Sequence, residues 1–355
     1  MSRLNGQRVL VTGGAGFIGS RLCRRLSSQG ARVTAFDSLL AQVHGDSPEL
    51  DPELDLIQGD VRDRVALSGA IEAVRPQIVF HLAAETGTGQ SADEPSRYAD
   101  VNVVGTALLI EGLKALDQPP TRVVLAATRA VYGEGAYRDE RGTVLAPPPR
   151  SIEAMARGQF GVVDAKGRPL IAVPTDDSLS PRPGSVYGST KLMQEYLLQQ
   201  TPVPWDTVIL RLQNVYGPGQ SLRNPYTGVL SIFCQQAMEV RGLGIYEDGE
   251  IYRDFVFVED VVDAFALAAD AEGAAGRIVN IGSGLKTSIR EAAEVILQNL
   301  GRDPKVAITG AYRAGDIRHA VADIAAARQT LDWAPRTSFE SGVSQLVEWA
   351  KGSSN

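Results

Sequence analysis

Two segments far apart in the chain carry residue types that could do chemistry together: Thr12-Gly-Gly-Ala-Gly-Phe-Ile-Gly19 and Tyr187-Gly-Ser-Thr-Lys191. In the first, Gly13, Gly16 and Gly19 follow a short apolar run and open a helical pattern. Gly13 permits a tight turn, Gly16 lets backbone N–H groups approach a pyrophosphate, and Gly19 lets the helix lie close to a sheet. The start of that helix, at Phe17 and Ile18, adds partial positive charge for phosphates. In the second segment, Tyr187 and Lys191 at i, i+4 share one helix face. A free phenol ionises at about pH 10 and is a poor base at neutrality. A neighbouring ammonium and a positively charged nicotinamide ring would both favour the phenolate and lower that pKa. Such a pair suits proton transfer at an alcohol carbon beside a nicotinamide. The spacing alone is common on surface helices; its place after a glycine-rich turn and five strands gives it meaning.

Other residues fit the same chemistry. Asp37 ends the second apolar run, about 20 residues after the glycines, where a carboxylate accepts hydrogen bonds from ribose hydroxyls and repels a 2′-phosphate. The expected cofactor is therefore NAD. Asp60-Val61, after the third run, could meet the adenine edge, or Asp60 could cap the helix that begins at Arg64. Thr128 lies just past the fifth run, where its hydroxyl could bond the reacting oxygen or close a local turn.

Elements that could hold these residues are legible along the chain. Strands are expected at Arg8–Thr12, Arg32–Phe36, Leu54–Gln58, Gln77–His81, Arg122–Ala126 and Asp206–Leu210. Helices are expected from Phe17, from Arg64, from Pro95 to Leu116 and near Tyr187. Short Val-, Leu- and Ile-rich runs alternating with helices indicate an α/β, Rossmann-type doubly wound parallel sheet covered on both faces. After Gln213 the texture changes. Helices near Gly228–Val240, Val261–Ala271, Ser288–Leu300, Ile324–Leu331 and Phe339–Lys351 suggest a smaller mixed α/β lobe over the sheet's carboxyl edge, where ligands of open α/β sheets bind. The division is an NAD-binding domain at 1–212 and a mainly substrate-binding lobe at 213–355, with short returns to the sheet. An insertion at 134–184 breaks the rhythm: about 50 residues replace a connection of usually ~2–6. Its Val162–Val173 stretch reads as two short strands around an Asp164–Gly167 turn.

Composition narrows the function class. With 355 residues, 44% hydrophobic residues and a net charge of −7, the chain suits a globular protein and not a non-specific nucleic-acid binder. No leader-like apolar segment and no run approaching ~18 apolar residues stands out, so neither a membrane span nor secretion is expected, and a cytoplasmic location is. Cys23 and Cys234 suggest neither disulfides nor a metal site.

Taken with Asp37, the motifs TGGAGFIGS, GDV at Gly59–Val61, HLAA at His81–Ala84, NVVGT at Asn102–Thr106, ATRAVYG, YGSTK, RLQNVYGPGQ at Arg211–Gln220 and RDFVFVEDV at Arg253–Val261 resemble the extended short-chain dehydrogenase/reductase family. The resemblance is to its nucleotide-sugar epimerase/dehydratase group and covers nearly the whole chain. Asn224–Val229, Arg313–His319 and the Pro-rich insertion bring it nearest to the dTDP-L-rhamnose 4-epimerase-like type. This resemblance implies Tyr187 as base, Lys191 lowering its pKa and holding the nicotinamide ribose, and Thr128 orienting the sugar hydroxyl. It also implies Ala83 and Asn102 at the cofactor, Asn214 on the diphosphate side, and Arg253 and Arg313 on phosphates, where a guanidinium fork suits the oxygens. For either arginine the alternative is an ion pair with Asp254 or Asp316. A homodimer through the Tyr187 helix and the one before it is also implied.

In that family a 4,6-dehydratase carries an Asp-Glu pair directly after the threonine, where this chain has Arg129 and Ala130; decarboxylating relatives need a carboxylate that Ala130 lacks. What remains is a nucleotide-sugar 4-epimerase acting on a dTDP- or UDP-sugar. A dehydrogenase or ketoreductase that releases its cofactor each turnover is the alternative. Arg129 could meet a substrate carboxylate or face solvent. Val163 and Lys166 stand where relatives of the nearest type often hold Cys-x-x-Cys, which excludes a zinc knuckle, and no metal is expected.

Overall fold

The computed structural model describes residues 4–45, 50–222, 228–239, 242–313 and 315–353. Seven parallel strands form one sheet: β1 (Arg8–Thr12), β2 (Arg32–Asp37), β3 (Asp55–Gln58), β4 (Ile78–His81), β5 (Arg122–Thr128), β6 (Asp206–Leu212) and β7 (Ile278–Ile281). Their spatial order is β7-β6-β5-β4-β1-β2-β3. The order reverses between β1 and β4, which opens a crevice at their carboxyl ends where a dinucleotide can lie. Every residue of β5 is buried, because helices cover both faces. Val9, Val11, Ala35 and Phe80 pack on one side, and Leu10, Phe36, Val79 and Leu125 on the other.

Three helices matter most for the site: α1 (Gly19–Ser28), α2 (Gly105–Lys114) and α3 (Val186–Gln200). The single helix expected from Pro95 to Leu116 is instead a short helix at Pro95–Tyr98, a π-turn over Ala99–Val104 and then α2. Gly105, at the junction, lies so close to the segment after β3 that a Cβ there would come 2.7 Å from Val61 Cγ2. β7 was not among the expected strands, although a return to the sheet was.

In the C-terminal half, Asn214–Tyr216 pairs with Phe255–Phe257, and Tyr252–Arg253 lies between Thr287–Ser288 and His319–Ala320. Tyr216, Phe233, Phe255, Ile296 and Leu346 form its own core. In the insertion, the Asp164–Gly167 turn is present, with Val163 bridged to Pro169. The Asp164 carboxylate accepts from the Lys166 and Arg168 amides at 2.8 and 2.9 Å. The second arm then departs from the expectation: Ile171–Ala172 joins Tyr137–Arg138, which also pairs with Val144–Leu145. Among the described residues no helix is long and apolar enough to cross a membrane.

His81, at the end of β4, has no exposed surface. Its Nδ1 is 2.7 Å from Thr12 Oγ1 and its Nε2 is 2.8 Å from Thr106 Oγ1, which Gln194 Nε2 also reaches at 2.7 Å. These bonds tie β1, β4, α2 and α3 together beneath the site. Burial, with the Lys191 charge adding to it, pushes His81 down to about 3. An unfolded imidazole takes its proton near pH ~6.5, so between these values the unfolded state binds more protons and stability falls as the pH drops. Urea unfolding well below pH ~6.5 should lose ~1.4 kcal/mol per pH unit from this group, on top of the carboxylates. His81→Asn should show a flatter acid limb than the parent; equal slopes would mean that the ring titrates normally.

Candidate functional site

The glycine-rich turn is assembled as the spacing predicts. Gly13 has φ +71°, and a Cβ there would lie 2.7 Å from Ala83 N, so the turn rests directly on the end of β4. A Cβ on Gly19 would come 2.1 Å from Gly13 O, which is why α1 can start so close to the sheet. Gly16 differs: a Cβ would meet only Gly13 O, at 3.3 Å. Internal packing therefore presses less on Gly16, and the bare turn faces outward. Among the described residues the backbone N–H groups of Phe17 and Ile18 have no hydrogen-bond acceptor. Free amides over a bare turn at the start of a helix suit a pyrophosphate.

Asp37 stands beside this turn, accepting from Ala15 N at 3.0 Å and Leu39 N at 2.9 Å, with His44 Nε2 3.6 Å away. Burial alone would raise its pKa. Hydrogen bonding to His44 and the two amides outweighs burial and holds the carboxyl below its ordinary value. A carboxylate fixed in charge and orientation fits the ribose side of a dinucleotide. Asp60 and Val61 follow β3. The Asp60 carboxylate is gripped by Arg62 at 2.6–3.1 Å, and the helix at Arg64 is capped by Asp63, not Asp60. Asn102 lies in the π-turn before α2. It is fully buried, and its amide is used internally, on the backbone N–H and C=O of Glu85 and on Thr190 Oγ1. It braces the loop after β4 against α3.

At the carboxyl end of β5, Thr128 and Tyr187 come together. Thr128 Oγ1 accepts from Ala130 N at 3.2 Å, so the local turn bond exists, and the same hydroxyl lies near enough to the Tyr187 phenol to favour its ionised form. The Tyr187 ring packs edge-on against Tyr98, with centroids 6.4 Å apart. Lys191 Nζ donates to Ala126 O at 2.7 Å, and burial pushes it down to about 7 against the opposing charge of Glu195. Tyr187 is pushed up by burial, with the Thr128 hydroxyl and the Arg129 charge pulling it back. In the chain alone burial outweighs them; the positive charge of a bound nicotinamide, the other part of the expectation, would act on top.

Beyond Thr128 the site is cationic. Burial and the neighbouring Arg253 charge bring Arg129 down to about 9, and its Nη1 is buried with no partner among the described residues. Arg253 is buried and donates to Tyr252 O at 2.9 Å. It does not pair with Asp254, whose carboxylate is taken by Ser283 and the amides of Gly284 and Ala322. Arg313 is exposed, with its guanidinium 5.1 Å over the Tyr246 ring. Asn214 Oδ1 is buried and has no partner among the described residues. Of the resembling segment Asn224–Val229, residues 224–227 lie outside the described residues. Among the described residues no group of three or more His, Cys, Asp or Glu could hold a metal ion.

Sequence reasoning missed the residues that hold α3 in place. Gln194 and Thr106 meet at His81, and Glu195 pairs with Arg211 of β6 at 2.7 Å, both nearly inaccessible. Arg211 in turn lies 4.6 Å over the Tyr132 ring. Glu195 lies one helical turn beyond Lys191, a spacing that could have drawn notice; its partner on β6 could not be read.

A doubly wound sheet with a bare glycine turn, an acidic end to β2 and a Thr–Tyr–Lys group at the carboxyl edge defines an extended short-chain dehydrogenase/reductase. Comparison with known proteins narrows this. The model of the NAD-dependent epimerase/dehydratase family matches residues 9–157 and 159–282. A dTDP-L-rhamnose 4-epimerase of Burkholderia thailandensis is 40% identical over 98% of this chain and 96% of its own. The UDP-glucose 4-epimerase of Thermotoga maritima, solved with UDP-glucose, superposes with a TM-score of 0.81 at 28% identity, covering 98% of this chain and 99% of that one. The Thermus thermophilus UDP-glucose 4-epimerase, solved with NAD, gives 0.79 at 26% identity over 97% and 99%. The chain belongs to the NAD-dependent epimerase/dehydratase family, and NAD is its cofactor.

Proposed function

We propose that the protein inverts C4 of a nucleotide-linked sugar, a dTDP- or UDP-sugar, by transient oxidation to a 4-keto sugar and re-reduction on the opposite face. The observation that carries this reading is the placing of Thr128, at the carboxyl end of β5, beside the first turn of α3 that bears Tyr187, followed by Arg129 and Ala130, which offer no carboxylate for dehydration or decarboxylation. Tyr187, as phenolate, takes the C4 hydroxyl proton and returns it after the sugar has turned. Thr128 orients that hydroxyl. Lys191, held by Ala126 O, sets the local positive charge and the nicotinamide ribose. NAD, held by the Gly13–Gly19 turn and Asp37, supplies the hydride acceptor and afterwards the donor.

Ala83 and the Asp60–Val61 segment line the adenosine side, while Asn214, Arg253 and Arg313 face the diphosphate. The division into a cofactor domain at 1–212 and a substrate lobe at 213–355 belongs to the same proposal. So does a homodimer, for which Val104, before α2, and Met193 and Tyr196 of α3 leave apolar surface exposed. Free buried thiols at Cys23 and Cys234 fit a reducing cytoplasm. The 40% identity to a dTDP-L-rhamnose 4-epimerase favours a deoxythymidine nucleotide.

The test is to incubate the purified protein, without added cofactor, with a panel of dTDP- and UDP-sugars and follow C4 by NMR. Inversion of one sugar with no net NADH is expected. Stoichiometric NADH release, or turnover only on added cofactor, would instead establish the dehydrogenase or ketoreductase.

A further inference from the structure

The insertion at 134–184 has no part in the chemistry described so far, yet it is tied to the substrate side by buried charge. Arg150, in its Pro-rich stretch, has a side chain only 4% exposed. Its guanidinium donates to Glu134 Oε1 at 3.2 Å, Phe160 O at 3.2 Å, Glu247 Oε2 at 2.9 Å and Asp316 O at 2.7 Å. The other oxygen of Glu134 accepts the Arg318 amide at 2.8 Å. Arg318 Nη1 reaches Glu247 Oε2 at 2.7 Å, and its fork also closes on Asp248. Glu247 sits at φ +54°, a left-handed conformation that non-glycine residues seldom adopt unless their surroundings impose it. At the far end of the insertion, Thr175 N donates to Val321 O at 2.8 Å and Thr175 O accepts from Asp323 N at 2.9 Å.

A passive surface loop has no physical reason to be built this way. Taking several charges out of water is costly, and apolar packing of the same volume holds segments together at least as well. What a guanidinium with four fixed acceptors adds is geometry: each of those bonds has one direction and one partner. The acceptors here come from the start of the insertion, its middle, the turn at Glu247 and Asp316. Asp316 N in turn donates to Arg313 O at 3.2 Å, and Arg313 stacks on Tyr246, the residue before Glu247. The carbonyl of Arg318 accepts from Arg253 Nη1 at 3.5 Å. Both proposed phosphate contacts therefore hang from groups that Arg150 holds.

We propose that the insertion is a working part of the substrate site, in which Arg150, through Asp316 O, Glu134 and Glu247, positions Arg313 and the 315–318 segment for a nucleoside diphosphate. Arg150 is a positioning residue, and the proposal rests on the reading of Arg253 and Arg313 as diphosphate contacts. Calorimetric titration of UDP and dTDP into the NAD-loaded protein, the Arg313→Ala variant and the Arg150→Met variant tests both levels separately. Arg313→Ala should weaken one or both nucleotides by ~10-fold or more. Arg150→Met should weaken the same nucleotides comparably while keeping the parent's NAD(H) content, which a general loss of structure would not spare. Arg150→Lys keeps the charge but not the four-way reach, and should fall between; it also serves if the methionine variant does not fold. Parent-like affinity in folded Arg150→Met or Arg150→Lys, with Arg313→Ala weakened, overturns the positioning role. Parent-like affinity in Arg313→Ala overturns the diphosphate reading beneath it.

Discussion

Tyr187→Phe should purify with its full complement of NAD(H) and turn over at least ~10²-fold more slowly than the parent, the usual scale of a lost acid/base group. The substitution removes one oxygen. The ring stays edge-on against Tyr98, and the cofactor turn at Gly13–Gly19 and the Asp37 carboxylate are built from other elements. The loss should therefore appear in kcat, with cofactor absorbance and melting temperature close to the parent. The phenol's position makes the effect specific. Burial holds it neutral, and Thr128 and Arg129 already bias it toward ionisation, so the positive charge of bound NAD⁺ has a poised group to act on. No other hydroxyl described at this edge has that setting: Thr128 cannot ionise, and Tyr98 donates to Thr86 O at 2.7 Å. Turnover within ~3-fold of the parent would remove Tyr187 from the role of base.

The cofactor half of this site was legible in the sequence because it is built from local rules. A strand, a left-handed Gly13, a helix start and an acid about 20 residues on each leave their mark in residue type and spacing. The ionisation of the Tyr–Lys pair was not legible, because it depends on depth. Lys191 sits under β5 with its charge turned to Ala126 O, and nothing in a four-residue spacing announces that burial will oppose both ionised forms. Asn102 shows a related gap. It stands in a motif associated with cofactor binding, but the partners of its amide, Glu85 and Thr190, are 17 and 88 residues away. Strand β7 escaped notice for a topological reason. Ile278–Ile281 is four residues long and reaches the sheet edge only by pairing with β6 after the chain has left for the C-terminal half.

Glu195→Ala should be the most destabilising single change near the site, lowering unfolding free energy by ~3–5 kcal/mol, because it strands a buried guanidinium. Glu195 takes both Arg211 Nε at 3.0 Å and Nη2 at 2.7 Å, with side-chain exposures of 1% and 2%. Without it Arg211 keeps the Asp177 carbonyl at 3.3 Å and the Tyr132 ring face, neither of which neutralises a cation. Chemical denaturation of the parent, Glu195→Ala and the double variant Glu195→Leu/Arg211→Met separates two explanations. If the stranded charge is the cause, the double variant should recover most of the loss, since apolar side chains can replace a buried pair at little cost. If it recovers nothing, the penalty comes from lost packing between α3 and β6. The same substitution also reaches the chemistry. Glu195 is the charge that offsets part of the burial acting on Lys191, so at neutral pH the folded fraction of Glu195→Ala should turn over more slowly than the parent, and lowering the pH should restore part of the difference.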